Sequence, residues 1–289
     1  MASHTILSLI ALAATAVAPL RGAAAEPADS VLTQRPVYAS YTLTAGSSHI
    51  ADTYLSPVRY SGWSLGFDYN RLQAMKFDPE RWVQQLNFGI HADRVLNSRG
   101  NTTVWDADLH VSWGMMRRWK LPQGFSAGIG GQASAHLGCI YLSHNGNNPA
   151  SAKAALTVDV TGYAAWNGTV LNMPVTLRYQ AAVPLTGAFF APDYGELYYE
   201  IYLGNRSGLA HAAWWGNYFR LTHRLTADIN FGATSLTLGY EGNVLSTKAE
   251  GIVTRMIRHA AVIGVSGQWI SVDTRRPLSA RTRTITATY

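Results

Sequence analysis

Trp105-Asp106-Ala107-Asp108-Leu109-His110-Val111-Ser112-Trp113-Gly114-Met115 alternates without a break. In an extended chain successive side chains point to opposite sides, so Trp105, Ala107, Leu109, Val111, Trp113 and Met115 share one face. Asp106, Asp108, His110, Ser112 and Gly114 share the other. The stretch is as long as the roughly 9–11 residues that a tilted strand needs to cross a bilayer. Its apolar face carries no charge, whereas a secreted β-sandwich would have shorter strands and Lys or Glu on its outward face. Lipid outside and a polar lumen inside account for both faces. The stretch therefore predicts an all-β chain, an antiparallel up-and-down transmembrane β-barrel.

The same period extends along the chain. Trp63, Leu65, Phe67 and Tyr69 alternate with Ser64, Gly66, Asp68 and Asn70, and Leu86, Phe88, Ile90 and Ala92 with Gln85, Asn87, His91 and Asp93. Phe125, Ala127 and Ile129 oppose Ser126, Gly128 and Gly130. Leu156, Val158 and Val160 oppose Thr157, Asp159 and Thr161. Val175, Leu177, Tyr179, Ala181 and Val183 oppose Thr176, Arg178 and Gln180. Further strands are expected at about Trp215–Ile229, Ser235–Thr247 and Val253–Ile270, and a shorter one at Val37–Thr44. That makes about ten strands, an even number as single-chain bacterial barrels have. Parity puts the turns near Asp78, Leu121, Asn167 and Asn230 at one end. At the other it puts loops at Ala45–Tyr60, Asn97–Asn101, His144–Lys153, Gly187–Ala212 and Lys248–Gly251. Short turns on the periplasmic side and long loops outside are the expected asymmetry. No repeat at a fixed period points to a solenoid or propeller.

Composition agrees with export into a membrane. Apolar residues make up 47% and charged residues 14% of 289, where soluble domains carry about a quarter charged. Trp 9, Tyr 15 and Phe 8 suffice for two interfacial girdles. The run Ile6–Ala18, followed by Ala23-Ala24-Ala25, predicts a signal peptide over residues 1–25, with Glu26 as the mature N-terminus. Residues 26–36 are then a periplasmic segment, 37–270 the barrel and 271–289 a basic tail. The one cysteine, Cys139, excludes an intrachain disulfide framework, and no cysteine near the cleavage site suggests a lipid anchor. The net charge of +6 is concentrated partly in Arg275, Arg276, Arg281 and Arg283 of that tail. No nucleic-acid motif accompanies them, so nucleic acid is not an expected partner and the tail is read as a solvated end. Three Asn-x-Ser/Thr sequons, at Asn101, Asn167 and Asn205, carry no weight in a bacterial barrel.

Two segments carry a family resemblance. Asp52-Thr53-Tyr54-Leu55-Ser56-Pro57 with Tyr60-Ser61-Gly62, and Phe189-Phe190-Ala191-Pro192-Asp193-Tyr194-Gly195-Glu196-Leu197-Tyr198-Tyr199-Glu200-Ile201, resemble small Bacteroidota outer-membrane proteins grouped as a domain of unknown function. The resemblance implies a barrel in the bacterial outer membrane and offers no activity.

Residues with chemistry collect in two places. Alternation puts Asp68, Asp93, Asp106, Asp108, His110, Asp159, Arg178, Arg220 and Arg224 on the lumen face, together with His91. In a barrel this narrow, buried polar groups must satisfy one another, so a salt-bridged plug is expected, with Asp106 and Asp108 meeting Arg178 or Arg220. Asp106-x-Asp108-x-His110 invites a metal or acid–base reading, but i, i+2 spacing arises in any alternating strand. No Gly-x-Ser-x-Gly, His-Glu-x-x-His or phosphate loop is present, so no catalytic residue, metal or cofactor is assigned. The second place is Gly187–Ala212, a connection too long to be a simple link. It carries Phe189, Phe190, Asp193, Tyr194, Glu196, Tyr198, Tyr199 and Glu200 as an extracellular binding loop, with Leu197–Leu203 as a further strand. Flat rings suit a glycan or a protein partner; the competing reading is a lid folded against Asp52–Gly62. The expected role is a surface protein with a closed or narrow lumen, held by outer-membrane lipid. A narrow pore for ions or small solutes is the alternative, and a hydrolase using Asp and His at the rim is third.

Overall fold

Residues alternating in this way pair with their chain neighbours, and antiparallel pairing of consecutive strands closes on itself. The computed structural model describes residues 33–146, 148–195, 197–205, 207–232, 234–270 and 283–288. The expected signal peptide, the tail residues 271–282 and Glu196 lie outside them. The wall strands are β2 (Val37–Asp52), β3 (Tyr60–Ala74), β4 (Trp82–Asn97), β5 (Thr103–Lys120), β6 (Phe125–Leu142), β7 (Ala150–Val170) and β8 (Met173–Phe190), followed by β10 (Tyr218–Asn230), β11 (Thr234–Ala249) and β12 (Ile252–Trp269). Each pairs antiparallel with its neighbour. β12 pairs with β2 and β10 with β8, so the ten wall strands form a closed barrel. Short β9 (Ala210–Ala213) pairs antiparallel with the last residues of β8 at one rim, and β1 (Thr33–Gln34) pairs in parallel with β13 (Arg283–Thr284) at the other.

The strands run 13–21 residues. At about 3.3 Å per residue and a tilt near 40°, an 18-residue strand rises roughly 45 Å, well beyond an apolar band of about 25 Å. The exterior marks that band. Trp63 packs edge-on to Trp105 at 6.4 Å, with Arg94 between them across the ladder and Tyr141 beside Trp105, forming an aromatic row toward the loop end. Trp119, Phe125 and Trp166 form the counterpart toward the turn end. Between the rows lie exposed Leu65, Ile90, Val111, Ile129, Leu137 and Val158.

Past each row the polarity reverses. On β2, Tyr41 and Leu43 face outward within the band, whereas at the loop end His49 is outside and Ile50 is buried inside. Ile50, Tyr60, Val95, Val104, Ile140, Leu142, Phe189, Tyr218, Leu245 and Met256 form an apolar layer across the loop-end mouth. Leu72, Val83, Met116, Tyr163, Ala165 and Ala287 form another near the turn end.

This reversal explains several corrections to the sequence reading. The strand expected at Val37–Thr44 continues to Asp52, so the loop expected at Ala45–Tyr60 shrinks to residues 53–59. Beyond the lipid an outward apolar residue is no longer favoured, and the signal fades while the hydrogen-bond ladder continues. For the same reason β7 begins at Ala150, within the loop expected at His144–Lys153. The turn expected at Asn167–Gly168 lies instead at Leu171 and Asn172, whose φ values of 50° and 63° suit a tight hairpin. The strand expected from Trp215 starts at Tyr218.

The basic tail is not simply solvated. Residues 283–288 enter the turn-end mouth, where Ile285 and Ala287 are buried. Arg118 donates to Thr286 O, Gln268 to Thr288 Oγ1 and Asn167 to Thr288 O. A recess of about 270 Å³ beside this segment is lined by Tyr38, Thr176, Asp228 and Gln268.

Candidate functional site: a charged lumen beneath an aromatic mouth

The inner face of β3, β4 and β5 presents its charges in rungs. One rung runs Thr42, Asp68, Gly89, His110, His136, and the next runs Thr44, Gly66, His91, Asp108, Gly138. Glycine alternates with large side chains, so each imidazole has room to lie flat over its neighbour. A Cβ at Gly66 would stand 2.1 Å from His91 Cδ2, and one at Gly89 2.2 Å from His110 Cε1. His91 stacks on His110 at 5.6 Å and His110 on His136 at 6.0 Å.

Cations reach this wall from across the lumen. Arg258 of β12 places Nε 2.8 Å from Asp93 Oδ2 and Nη1 3.4 Å from Asp108 Oδ2, and donates through Nη2 to Asp106. Ser48 donates to the same Asp93 oxygen at 2.6 Å. Arg224 of β10 binds Glu241 of β11 and sets Nη2 2.7 Å from Asp68 Oδ2. Arg220 lies 3.7 Å from Asp108. Buried groups so paired resist separation, because removing one partner strands a charge in a medium that solvates it poorly.

Asp68, Asp93, Asp106, Asp108, His110, Arg220 and Arg224 thus meet in one network, as their alternation implied. Arg178 does not join it. It lies nearer the turn end with its guanidinium 4.1 Å from the Tyr163 ring and Nη2 3.5 Å from Gln180. The expected pairing of Arg178 with Asp106 or Asp108 is therefore replaced by Arg258. Asp159 also stands apart, accepting from Ser134 and Gln132. Arg258 and Glu241 escaped the sequence reading, although Arg255, Arg258 and Glu241 all lie on alternating strands. Deciding which of them face inward requires the register of β11 and β12, and their flanks Gly239-Tyr240 and His259-Ala260 carry mixed polarity. A cavity of about 90 Å³, large enough for several waters, lies below the network between Asp68, His110, His136, Asp159, Arg224 and Glu241.

The loop-end segment divides in two. Phe189 and Phe190, expected in the loop, are the last residues of β8; Phe189 is buried against Tyr218 and His211. The connection proper is residues 191–209, and its Leu197–Leu203 stretch, expected as a strand, contains the helix α1 (Tyr198–Leu203). Glu200 caps α1 by accepting from Leu197 N at 3.0 Å, which a strand would not allow. Tyr198 anchors the helix: its hydroxyl accepts from Ala152 N at 2.6 Å, and its ring meets Tyr54 edge-on at 5.8 Å and Phe190 at 6.4 Å. Burial pushes the Tyr198 phenol up from its ordinary value, so it stays a neutral group throughout the physiological range. Asp193, Tyr194, Tyr199 and Glu200 are exposed, as are Tyr202, Leu203, Trp214 and Trp215. The Asp52–Gly62 contact expected of a lid is present through Tyr54, and a second set of rings is left uncovered.

A closed ten-strand barrel with an outward apolar band and a polar lumen is the architecture of bacterial outer-membrane proteins. The chain belongs to the family described as protein of unknown function (DUF3316), whose model matches residues 5–276. No curated protein matches it. Among solved structures it is similar to the outer membrane protease OmpT from Escherichia coli, with a TM-score of 0.50 and 6% identity over 81% of this chain and 97% of that one. It is also similar to the β-domain of the Bordetella autotransporter BrkA, with a TM-score of 0.39 and 11% identity over 82% and 100%. The translocator domain of NalP from Neisseria meningitidis gives a TM-score of 0.37 and 12% identity over 83% and 90%. At 6% identity the likeness to OmpT shows the fold alone.

Proposed function

We propose that this chain is an outer-membrane protein with a closed lumen that presents an aromatic binding surface outside the cell. The observation carrying this reading is the division of labour in the loop-end segment. Phe189, Phe190 and Tyr198 fasten it over the mouth, while Tyr194, Tyr199, Tyr202 and Leu203 remain between 66% and 79% exposed. Exposed rings held on an anchored helix cost little ordering entropy on binding, and they suit the apolar faces of a glycan or the core of a protein interface. The strand parity supports putting this end outside, opposite the rim where β1 pairs with β13. The apolar layers at both ends and the paired charges between them support a closed lumen over a pore. A rim hydrolase draws no specific support, since Asp93 and Asp106 are buried beneath the loop-end layer.

The test is to replace residues 192–208 by a short Gly/Ser linker, which leaves β8 and β9 intact. The expected outcome is normal heat-modifiable migration, no steady current in planar bilayers, and loss of the glycan-array or cell-adhesion signal given by the wild type. A wild-type channel current, or binding that survives the replacement, would overturn the proposal.

A further inference from the structure

We infer that the lumen wall holds a divalent transition-metal ion between Asp68, His91 and His110. One carboxylate oxygen and one ring nitrogen from each histidine lie within 4.8 Å of one another. His91 Nε2 is 3.7 Å from Asp68 Oδ2, and His110 Nε2 is 3.9 Å from Asp68 Oδ1. Ligand atoms about 2.0–2.1 Å from a tetrahedral zinc are roughly 3.3–3.5 Å apart, so the two carboxylate–imidazole distances lie a few tenths of an ångström outside that spacing, and the set as a whole, within 4.8 Å, contracts around the ion. Glu241 Oε1 stands 3.7 Å from the same His91 Nε2, on the outer side of this group.

Three independent features point to a cation here. His91 is 4% exposed, yet neither of its ring nitrogens has a hydrogen-bond partner among the described residues. A buried imidazole with both nitrogens idle is expensive, and a metal bond on Nε2 removes much of that cost. Acid also outnumbers base. Five carboxylates, those of Asp68, Asp93, Asp106, Asp108 and Glu241, share three guanidinium groups, those of Arg220, Arg224 and Arg258. Finally, the ligands are already oriented. Arg224 lies against Asp68 Oδ2 and holds Glu241 Oε2, leaving Asp68 Oδ1 toward His110 and Glu241 Oε1 toward His91. Gly66 and Gly89 provide the space in which both rings lie, and outer contacts of this kind set the aim of metal ligands.

Two imidazoles with carboxylates suit zinc and its neighbours in the first transition row better than calcium or magnesium, which prefer all-oxygen sites. The ion would tie β3, β4 and β5 to the β11 side of the lumen and neutralise the network at its centre. This is distinct from the Asp106-x-Asp108-x-His110 strand triplet: Asp106 and Asp108 belong to Arg258, and only His110 is shared.

Full-length protein, unfolded in chelator and refolded in detergent with zinc, tests the proposal. Metal analysis after gel filtration should give about one zinc per chain, and cobalt in its place should give the visible absorption of a tetrahedral site. His91→Gln and His110→Gln should each reduce bound zinc at least tenfold, whereas His136→Gln, the third ring of the stack, should leave it unchanged. The cobalt spectrum of the wild type decides the matter if either variant fails to fold. Wild type that refolds heat-modifiable but metal-free in excess zinc would overturn the inference. Zinc retained by both folded variants would overturn it as well, and surface binding through groups elsewhere would take its place.

Discussion

Replacing Arg258 by methionine should be the most damaging conservative-volume change in the lumen. Arg258 is 6% exposed and touches three carboxylates, with Nε 2.8 Å from Asp93 and Nη1 3.4 Å from Asp108. At an effective dielectric near 20 these two contacts alone correspond to roughly 6 and 5 kcal/mol of attraction, most of it spent on desolvating the charges. The loss has a ceiling, because an orphaned carboxylate can take up a proton instead of remaining charged. From an ordinary value near 3.9, that costs about 5 kcal/mol at pH 7.5. A destabilisation of about 3–5 kcal/mol follows, the range found when one partner of a buried pair is removed. With a urea slope of about 2–3 kcal/mol per molar, the unfolding midpoint in detergent should fall by roughly 1–2 M. Adding Asp93→Asn and Asp106→Asn to the Arg258→Met chain should recover much of that fall, since only Asp108 then keeps its charge and Arg220 remains beside it. A midpoint unchanged by Arg258→Met would show that water screens these groups, and the dry plug would be refuted. A triple variant no better than the single one would attribute the loss to packing.

Two further outcomes are expected. Val111 faces outward, six residues from Trp105 and eight from Trp119 in sequence, so Val111→Arg sets a charge near the middle of the lipid band; it should cost about 2–4 kcal/mol in vesicles and far less in the aqueous phase of a denaturant titration. A chain lacking Arg283–Tyr289 loses buried Ile285 and Ala287 and the Thr286 acceptor of Arg118; its unfolding free energy should fall by about 2 kcal/mol, and no change would mean the segment does not occupy the mouth.

The period-two pattern by itself determined the all-β class, the pairing of strands with their chain neighbours, the wall-strand number and the inward aim of Asp68, Asp93, Asp106, Asp108 and His110. Each of these follows from a local rule: side chains alternate, and lipid accepts only apolar ones. The rule stops where the strands leave the lipid, which is why β2 read as ending at Thr44 while its ladder runs to Asp52. Only the tertiary structure decided who meets whom across the lumen. Arg258 lies 165 residues from Asp93 and 152 from Asp106, and nothing in either local sequence names the other. Barrel closure and strand stagger set which rung of β12 faces which rung of β4 and β5. They bring Arg224 to Asp68 and leave Arg178 on Tyr163. The seating of Ile285 and Ala287 in the turn-end mouth is of the same kind, because a short apolar segment is buried only where a closed wall offers it an apolar ring.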